Sequence, residues 1–335
     1  MLQMDLGMRS FVVLVALISI LETGNSTDCK NEPRCQISRV YGMRAADCSD
    51  RKFKYFPQCI RSDIEVIDLA MNRIRKLRFA DLERYRNLKA LYLQDNALAK
   101  LEEDTFDGLD DLTGLDISGA SHVKIPPNIF RLPSLQTLYL SQQMNSNIVE
   151  VLETTKPITC PLVHLDISYS EIERLPEMGL LPTLVKYNVS GNNLFELGVK
   201  HFSGLCGLRH LITENVSLSL TKPCECWNTN RWLISKGFKD PPFDCQLKDN
   251  LCEEVPFNSS DKENYEKCSI LLGEIARRSL LKKVLLPLAT VMLVILLCIF
   301  CYFRRRRRYL EQPSYRIPAE EESMNSLPLK KIENS

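Results

Sequence analysis

The chain has 335 residues, 13 of them cysteine, and its 43 Lys and Arg nearly balance 42 Asp and Glu for a formal net charge of +1. That length accommodates two ordinary domains at most. The balance names no partner, and the five arginines at 304–308 do not make a nucleic-acid site, because no folded basic or aromatic surface accompanies them.

Residues 1–10 carry one arginine, and 11–21 form an apolar run of 11 residues interrupted only by Ser19. Small and polar residues follow, among them Gly24 and Ser26. This is the pattern of a signal peptide at 1–26, too short to cross a bilayer. A segment at 27–63 carries Cys29, Cys35, Cys48 and Cys59. Behind a signal peptide, disulfides are the expected state of these cysteines.

Between 64 and 220 the sequence repeats. Ile64, Ile67, Leu69, Asn72 and Ile74 fit the pattern LxxLxLxxNxL, and Leu88, Leu91, Leu93, Asn96 and Leu98 repeat it 24 residues later. Leu112, Leu135, Leu162, Leu184 and Leu208 open five further registers, making seven. Each LxxLxL core reads as a short strand with alternate side chains inward. One such turn cannot bury its leucines alone, whereas seven stacked in parallel build a continuous core. A stack of amphipathic helices fits poorly, since the i, i+3, i+5 spacing suits no helix face. Asn72, Asn96 and Asn192 occupy the position of a buried amide, while Ala120, Gln143 and Ser170 replace it in the middle repeats and predict local irregularity there.

A solenoid needs capped ends. Asp47-Cys48-Ser49 through Phe56-Pro57-Gln58-Cys59 resembles the N-terminal cysteine-rich cap of extracellular leucine-rich-repeat proteins. Pro223-Cys224-Glu225-Cys226-Trp227, with Trp232, Cys245 and Cys268, resembles their C-terminal cap at 221–268. The tight Cys-x-Cys usual in the N-terminal cap is absent. The resemblance implies an α/β leucine-rich-repeat solenoid: a right-handed, curved stack with a parallel sheet on its concave face and disulfide caps. Zinc is the runner-up for the C-terminal cysteines, but Cys224-Glu225-Cys226 is not a CxxC and no nearby His completes a site. No metal or cofactor is expected.

Cys160 and Cys206 occupy equivalent places two repeats apart, about 10 Å in a parallel stack against the ~7 Å a disulfide allows. Both are expected to be buried free thiols. Nine outer cysteines then remain, with Cys252 the candidate for the unpaired one.

Residues 269–283 read as a short stalk. Residues 284–303 are apolar and free of charge, long enough for a transmembrane helix, and the arginines at 304–308 stop it. With the signal peptide this predicts a type I single-pass protein of the plasma membrane, its N-terminus extracellular. Pro287 removes one helix hydrogen bond and predicts a bend. Cys298 and Cys301 are candidate palmitoylation sites. The tail at 304–335 is too short for a signalling domain and reads as disordered.

Sequons mark Asn25, Asn188, Asn215 and Asn258, the first of them split off by cleavage after Ser26. Asn188 lies on the exposed strand face, so a glycan there leaves repeats one to five as the free binding face. Its outward residues are Asp68, Tyr92, Asp116, Tyr139 and Asp166. Alternating carboxylates and phenols suit a ligand with basic and apolar groups. The loop at 144–161 offers a second surface. No phosphate loop, GxSxG or HExxH occurs, His122, His164, His201 and His210 are scattered, and no enzyme is expected. The resemblance implies a cell-surface receptor or adhesion protein that binds an extracellular protein and signals, if at all, through a co-receptor or adaptor. The alternative is an auxiliary subunit of a channel or receptor in the same membrane.

Overall fold

The computed structural model describes residues 34–120, 123–144, 147–245 and 252–310. The signal peptide, Cys29, His122 and the tail beyond 310 lie outside the described residues. The chain divides into two units, Met1–Glu274 and Ile275–Ser335.

In the first unit the strands are β1 (Gln36–Val40), β2 (Met43–Asp47), β3 (Val66–Asp68), β4 (Lys76–Leu77), β5 (Ala90–Tyr92) and β6 (Lys100–Leu101). They continue with β7 (Gly114–Asp116), β8 (Thr137–Tyr139), β9 (His164–Asp166), β10 (Lys186–Asn188), β11 (Asn193–Leu194), β12 (His210–Ile212) and β13 (Ser217–Leu218). Nine of them form one sheet in the order β1-β2-β3-β5-β7-β8-β9-β10-β12. Every pair is parallel except the β1–β2 hairpin. The seven strands β3, β5, β7, β8, β9, β10 and β12 are the seven LxxLxL registers.

The middle residue of each strand points inward. Ile67, Leu91, Leu115, Leu138, Leu165 and Tyr187 are all buried. Behind them Leu82, Phe106, Phe130 and Phe202 complete one continuous core. The amide ladder is where the sequence placed it. Asn96 donates to Leu69 O at 2.8 Å and Leu93 O at 2.9 Å, and its Oδ1 accepts from Ile74 N at 3.0 Å. Asn72 does the same between the N-terminal cap and the first repeat, reaching Cys48 O at 2.9 Å.

The middle repeats depart less than expected. Gln143 donates to Ile117 O, and the Ser170 hydroxyl donates to Leu140 O at 3.2 Å. Strand register runs through them without a break, Gly114 opposite Thr137 and Thr137 opposite His164. The irregularity sits away from the sheet instead. A 3-10 turn at Pro127–Arg131 and a helix, α2 (Ile148–Thr154), occupy the connections there, after the short α1 (Phe79–Leu82) of the first repeat. The predicted loop at 144–161 therefore contains a helix, whose Ile148, Val151 and Leu152 join the core.

Tyr187 stands where the pattern calls for leucine, and its hydroxyl is buried with no partner among the described residues. Burial alone pushes its phenol far up. An orphaned buried hydroxyl costs about 1–3 kcal/mol. Tyr187→Phe is expected to stabilise the protein by about 1 kcal/mol, read as a raised melting temperature.

His201 is also buried, its Nδ1 accepting from Gly198 N–H at 3.1 Å. Burial, and then the Lys200 charge, pushes its imidazole from 6.5 down to about 4, with Glu196 and Glu177 opposing. The fold thus accommodates the neutral ring. Its contribution is whole above the unfolded pKa of 6.5 and drains away as pH falls toward 4, by up to about 3 kcal/mol. Asp261 nearby, raised by its own burial, works in the opposite sense. His201→Gln is expected to flatten the loss of stability between pH 6.5 and 4 relative to the parent chain.

Two expectations about cysteines are corrected. Cys206 is not a free thiol: it bonds Cys268, at a Cα separation of 5.8 Å. Cys252 is not left over: it bonds Cys224. The stack does hold Cys206 apart from Cys160, but its partner comes from outside the repeats, on a helix brought alongside. The remaining bonds are Cys35–Cys48 and Cys226–Cys245, and Cys59 is also disulfide-bonded. Cys160 is free and buried, its thiol pushed up to about 12 by that burial.

The C-terminal cap is built on α3 (Pro223–Ser235), followed by α4 (Ser259–Leu280). Trp232 is buried, its ring edge-on to Phe257 at 5.0 Å and Tyr265 at 5.8 Å. The expected stalk is helical, at least to Leu280. Residues Leu281–Leu285 are π-helical, and α5 spans Leu286–Leu310. The π-helical turn immediately precedes Pro287, whose missing N–H disturbs the regular ladder there. Residues 304–310, expected to begin a disordered tail, belong to α5. The segment 259–307 contains a stretch long and apolar enough to cross a membrane, and none of that stretch is buried in the protein.

Candidate functional site

Strand register sets a line of outward side chains across the sheet. Asp68 pairs with Tyr92, Tyr92 with Asp116, Asp116 with Tyr139, and Tyr139 with Asp166. All five residues singled out from sequence therefore stand side by side, about 4.8 Å apart along the line. Asn188 continues the line at one end. Asp47, which sequence reasoning missed, continues it at the other, opposite Asp68.

The carboxylates also hold the backbone. Asp68 Oδ1 accepts from Ala70 N–H, Asp116 Oδ1 from Ser118 N–H, and Asp166 Oδ1 from Ser168 N–H, each at 2.9 Å. Asp47 Oδ1 accepts the amide of Ser49 at 3.0 Å and its hydroxyl at 2.6 Å. The spelling Asp-x-Ser at 47–49, 116–118 and 166–168 was the signal that could have revealed both the role and the extra strand. One oxygen of each carboxylate is thereby committed to the end of its own strand. Asp166 Oδ2 also accepts from Asn188 at 2.8 Å.

The electrostatics follow from this spacing. Burial raises the Asp116 carboxyl, against the pull of the Ser118 hydrogen bonds, and the charges of Asp166 and Asp95 raise it further. The phenol of Tyr92 is raised by burial and by Asp68 and Asp116. That of Tyr139 is raised by burial and by Asp116 and Asp166. Both phenols remain neutral donors over an acidic floor. Tyr139 packs edge-on against the His164 ring at 4.9 Å, and burial, with the Lys186 charge, lowers that imidazole. The parallel row runs Val66, Ala90, Gly114, Thr137, His164, so short side chains flank Tyr92, while Tyr139 has Thr137 and the His164 ring beside it.

The three described sequons differ. Asn188 is half-buried, with Nδ2 on Asp166 and Oδ1 accepting from Ser190 N–H at 3.1 Å. Asn215 is exposed in a left-handed turn, φ 55°, and Asn258 is exposed just before α4. Cys298 and Cys301 are free and exposed on α5.

The repeats and the bonded cysteines together give the leucine-rich-repeat fold with disulfide-bonded ends. Comparison agrees: a family model described as "Leucine rich repeat" matches residues 86–147. The chain is 27% identical over 170 residues to Toll-like receptor 2 type-1 of Gallus gallus, covering 50% of this chain and 21% of that protein. It is 26% identical over 206 residues to keratocan of Danio rerio, covering 61% and 55%. Leucine-rich-repeat-containing G-protein coupled receptor 5 of Homo sapiens is 27% identical over 119 residues, 36% of this chain and 13% of that receptor. The chain thus spans from about an eighth to about half of these relatives' lengths. A solved TLR13–ssRNA13 complex matches with a TM-score of 0.40 and 23% identity, over 48% of this chain and 23% of that one.

Proposed function

We propose that the chain is a membrane-anchored recognition protein, not an enzyme, that binds an extracellular protein through the outward sheet face of repeats one to five. The observation that carries this reading is the line Asp68–Tyr92–Asp116–Tyr139–Asp166, half-buried and held in register on the outward face of the sheet. Tyrosine rings beside partly desolvated carboxylates favour a partner that offers a basic side chain within an apolar surround. The apolar helix anchors the protein in the plasma membrane, type I, and any signal passes through a co-receptor or adaptor. Receptor relatives support the cell-surface placement.

The full chain, purified in detergent and immobilised, would be screened against extracellular proteins. A saturable partner is expected, and Tyr92→Ala or Tyr139→Ala should weaken it about 30-fold, the loss of a 2 kcal/mol contact. Binding untouched by both substitutions rules out this face. A chain that captures only membrane proteins, and loses them when its apolar helix is exchanged, acts as an auxiliary subunit instead.

A further inference from the structure

Beside the sheet face, where each strand turns toward the back of the stack, the charge pattern is uneven. Lys52, Lys54, Arg73 and Arg75 are all exposed. Among the described residues none of the four forms an ion pair. Cations next to them are neutralised: Arg78 by Asp81 at 3.2 Å, Lys76 by Glu102 at 2.8 Å. Glu102 is itself shared with Lys100 at 3.8 Å, so that trio keeps one net positive charge.

The backbone brings these cations together. Arg73 N–H donates to Phe53 O at 2.8 Å, which lays the cap segment carrying Lys52 and Lys54 against the first repeat. Ala99 N–H donates to Arg75 O at 2.9 Å, and Lys76 stands opposite Lys100 in the β4–β6 pair. Cations from three consecutive turns, about 5 Å apart, thus form one strip. Tyr55, 79% exposed, stands at its margin.

The same edge is acidic further along. Glu171 and Glu173 flank Ile172 in the fifth repeat as Arg73 and Arg75 flank Ile74 in the first, and both are exposed. A strip of long, unpaired cations selects for repeated charge. Disulfides place it in an oxidising, extracellular setting. We propose that the strip Lys52, Lys54, Arg73 and Arg75, extended by Lys76 and Lys100, binds a linear sulfated polysaccharide. A chain of sulfates can run across three turns, releasing counterions as it pairs with each cation. The acidic far end repels it and confines it to the N-terminal repeats.

The test uses heparin and the full chain in detergent, with the arginines at 304–308 changed to glutamine so that they add no retention. Salt-sensitive binding is expected, and Lys54→Gln/Arg73→Gln/Arg75→Gln should weaken it at least about tenfold. An unchanged melting temperature shows the triple variant folded; Arg75→Gln alone, with a loss of about threefold, serves if it does not. Glu171→Gln/Glu173→Gln should leave heparin binding intact, and heparin stripped of sulfate should not bind. Equal retention of parent and triple variant overturns the proposal. So does self-association at low salt abolished by either charge variant, which would assign the strip to the acidic edge of a second copy.

Discussion

Asn192→Leu is expected to cost about 4 kcal/mol and to lower the melting temperature of the repeats more than any surface change. Asn192 is 1% exposed and sits between the fifth and sixth repeats. Its Oδ1 accepts from Ser170 N–H at 3.0 Å and Ile172 N–H at 3.1 Å. Its Nδ2 donates to Val189 O at 2.8 Å and Ile167 O at 3.1 Å. Leucine has similar bulk, so the substitution leaves no large void. What it removes is the partner of two buried amides and of three buried carbonyls, Ser190 O at 3.3 Å being the third, at about 1–3 kcal/mol for each group left unsatisfied. Asn72→Leu, at 7% exposure and nearer the surface, should cost less. If both variants melt with the parent, the amide ladder contributes nothing to the stack.

That ladder was legible in the sequence because its cause is local. Each LxxLxLxxN unit carries its own inward leucines and its own amide, and stacking copies of it requires no long-range information. The five outward residues were legible for the same reason, since alternation in a strand fixes the side. The left-handed turn that follows each strand was hidden. Met71, Asp95, Gly119, Gln142, Tyr169, Gly191 and Asn215 all have positive φ, yet only two are glycine. At Gly191 glycine serves a second need, because an added Cβ would meet the Tyr169 ring at 2.2 Å.

Cys206 was misjudged because its environment is not local. Distance within the stack correctly separates Cys160 from Cys206, but it says nothing of a helix 62 residues away in sequence. The helix at 148–154 escaped for a related reason. Its apolar residues are too few for a clear period, and packing of Ile148, Val151 and Leu152 into the core decides its conformation.

In the outward line the carboxylates proposed for binding also hold the backbone. Asp116 cannot be removed as a pure contact residue, since Ser118 N–H loses its acceptor with it. The side chains of Tyr92 and Tyr139 make no hydrogen bond to the backbone among the described residues; the sheet bonds of both run through the main chain instead, Leu69 N–H to Tyr92 O at 2.8 Å and Ile117 N–H to Tyr139 O at 3.1 Å. They are therefore the cleaner probes of recognition, while Asp→Ala variants would mix a folding defect with a binding one.

The larger test of the cap is the Cys206–Cys268 bond. It closes a loop of 62 residues that contains α3 and the Cys224–Cys252 and Cys226–Cys245 bonds. Both sulfurs are buried, and Cys206 N–H donates to Cys268 Sγ at 3.1 Å. By the chain-entropy estimate a loop of that length contributes about 4 kcal/mol, reduced in practice by the two bonds nested inside it. Cys206→Ala/Cys268→Ala is expected to destabilise the C-terminal cap by that order. The first ring contacts to loosen should be those of Trp232 with Tyr265 on α4 and with Phe257 just before it, so tryptophan fluorescence should report the cap melting ahead of the repeats. Thiol labelling of the unreduced, denatured parent chain decides the pairing directly. Cys160 should react and Cys206 should not; a labelled Cys206 would return it to the free, buried thiol that repeat spacing alone implies.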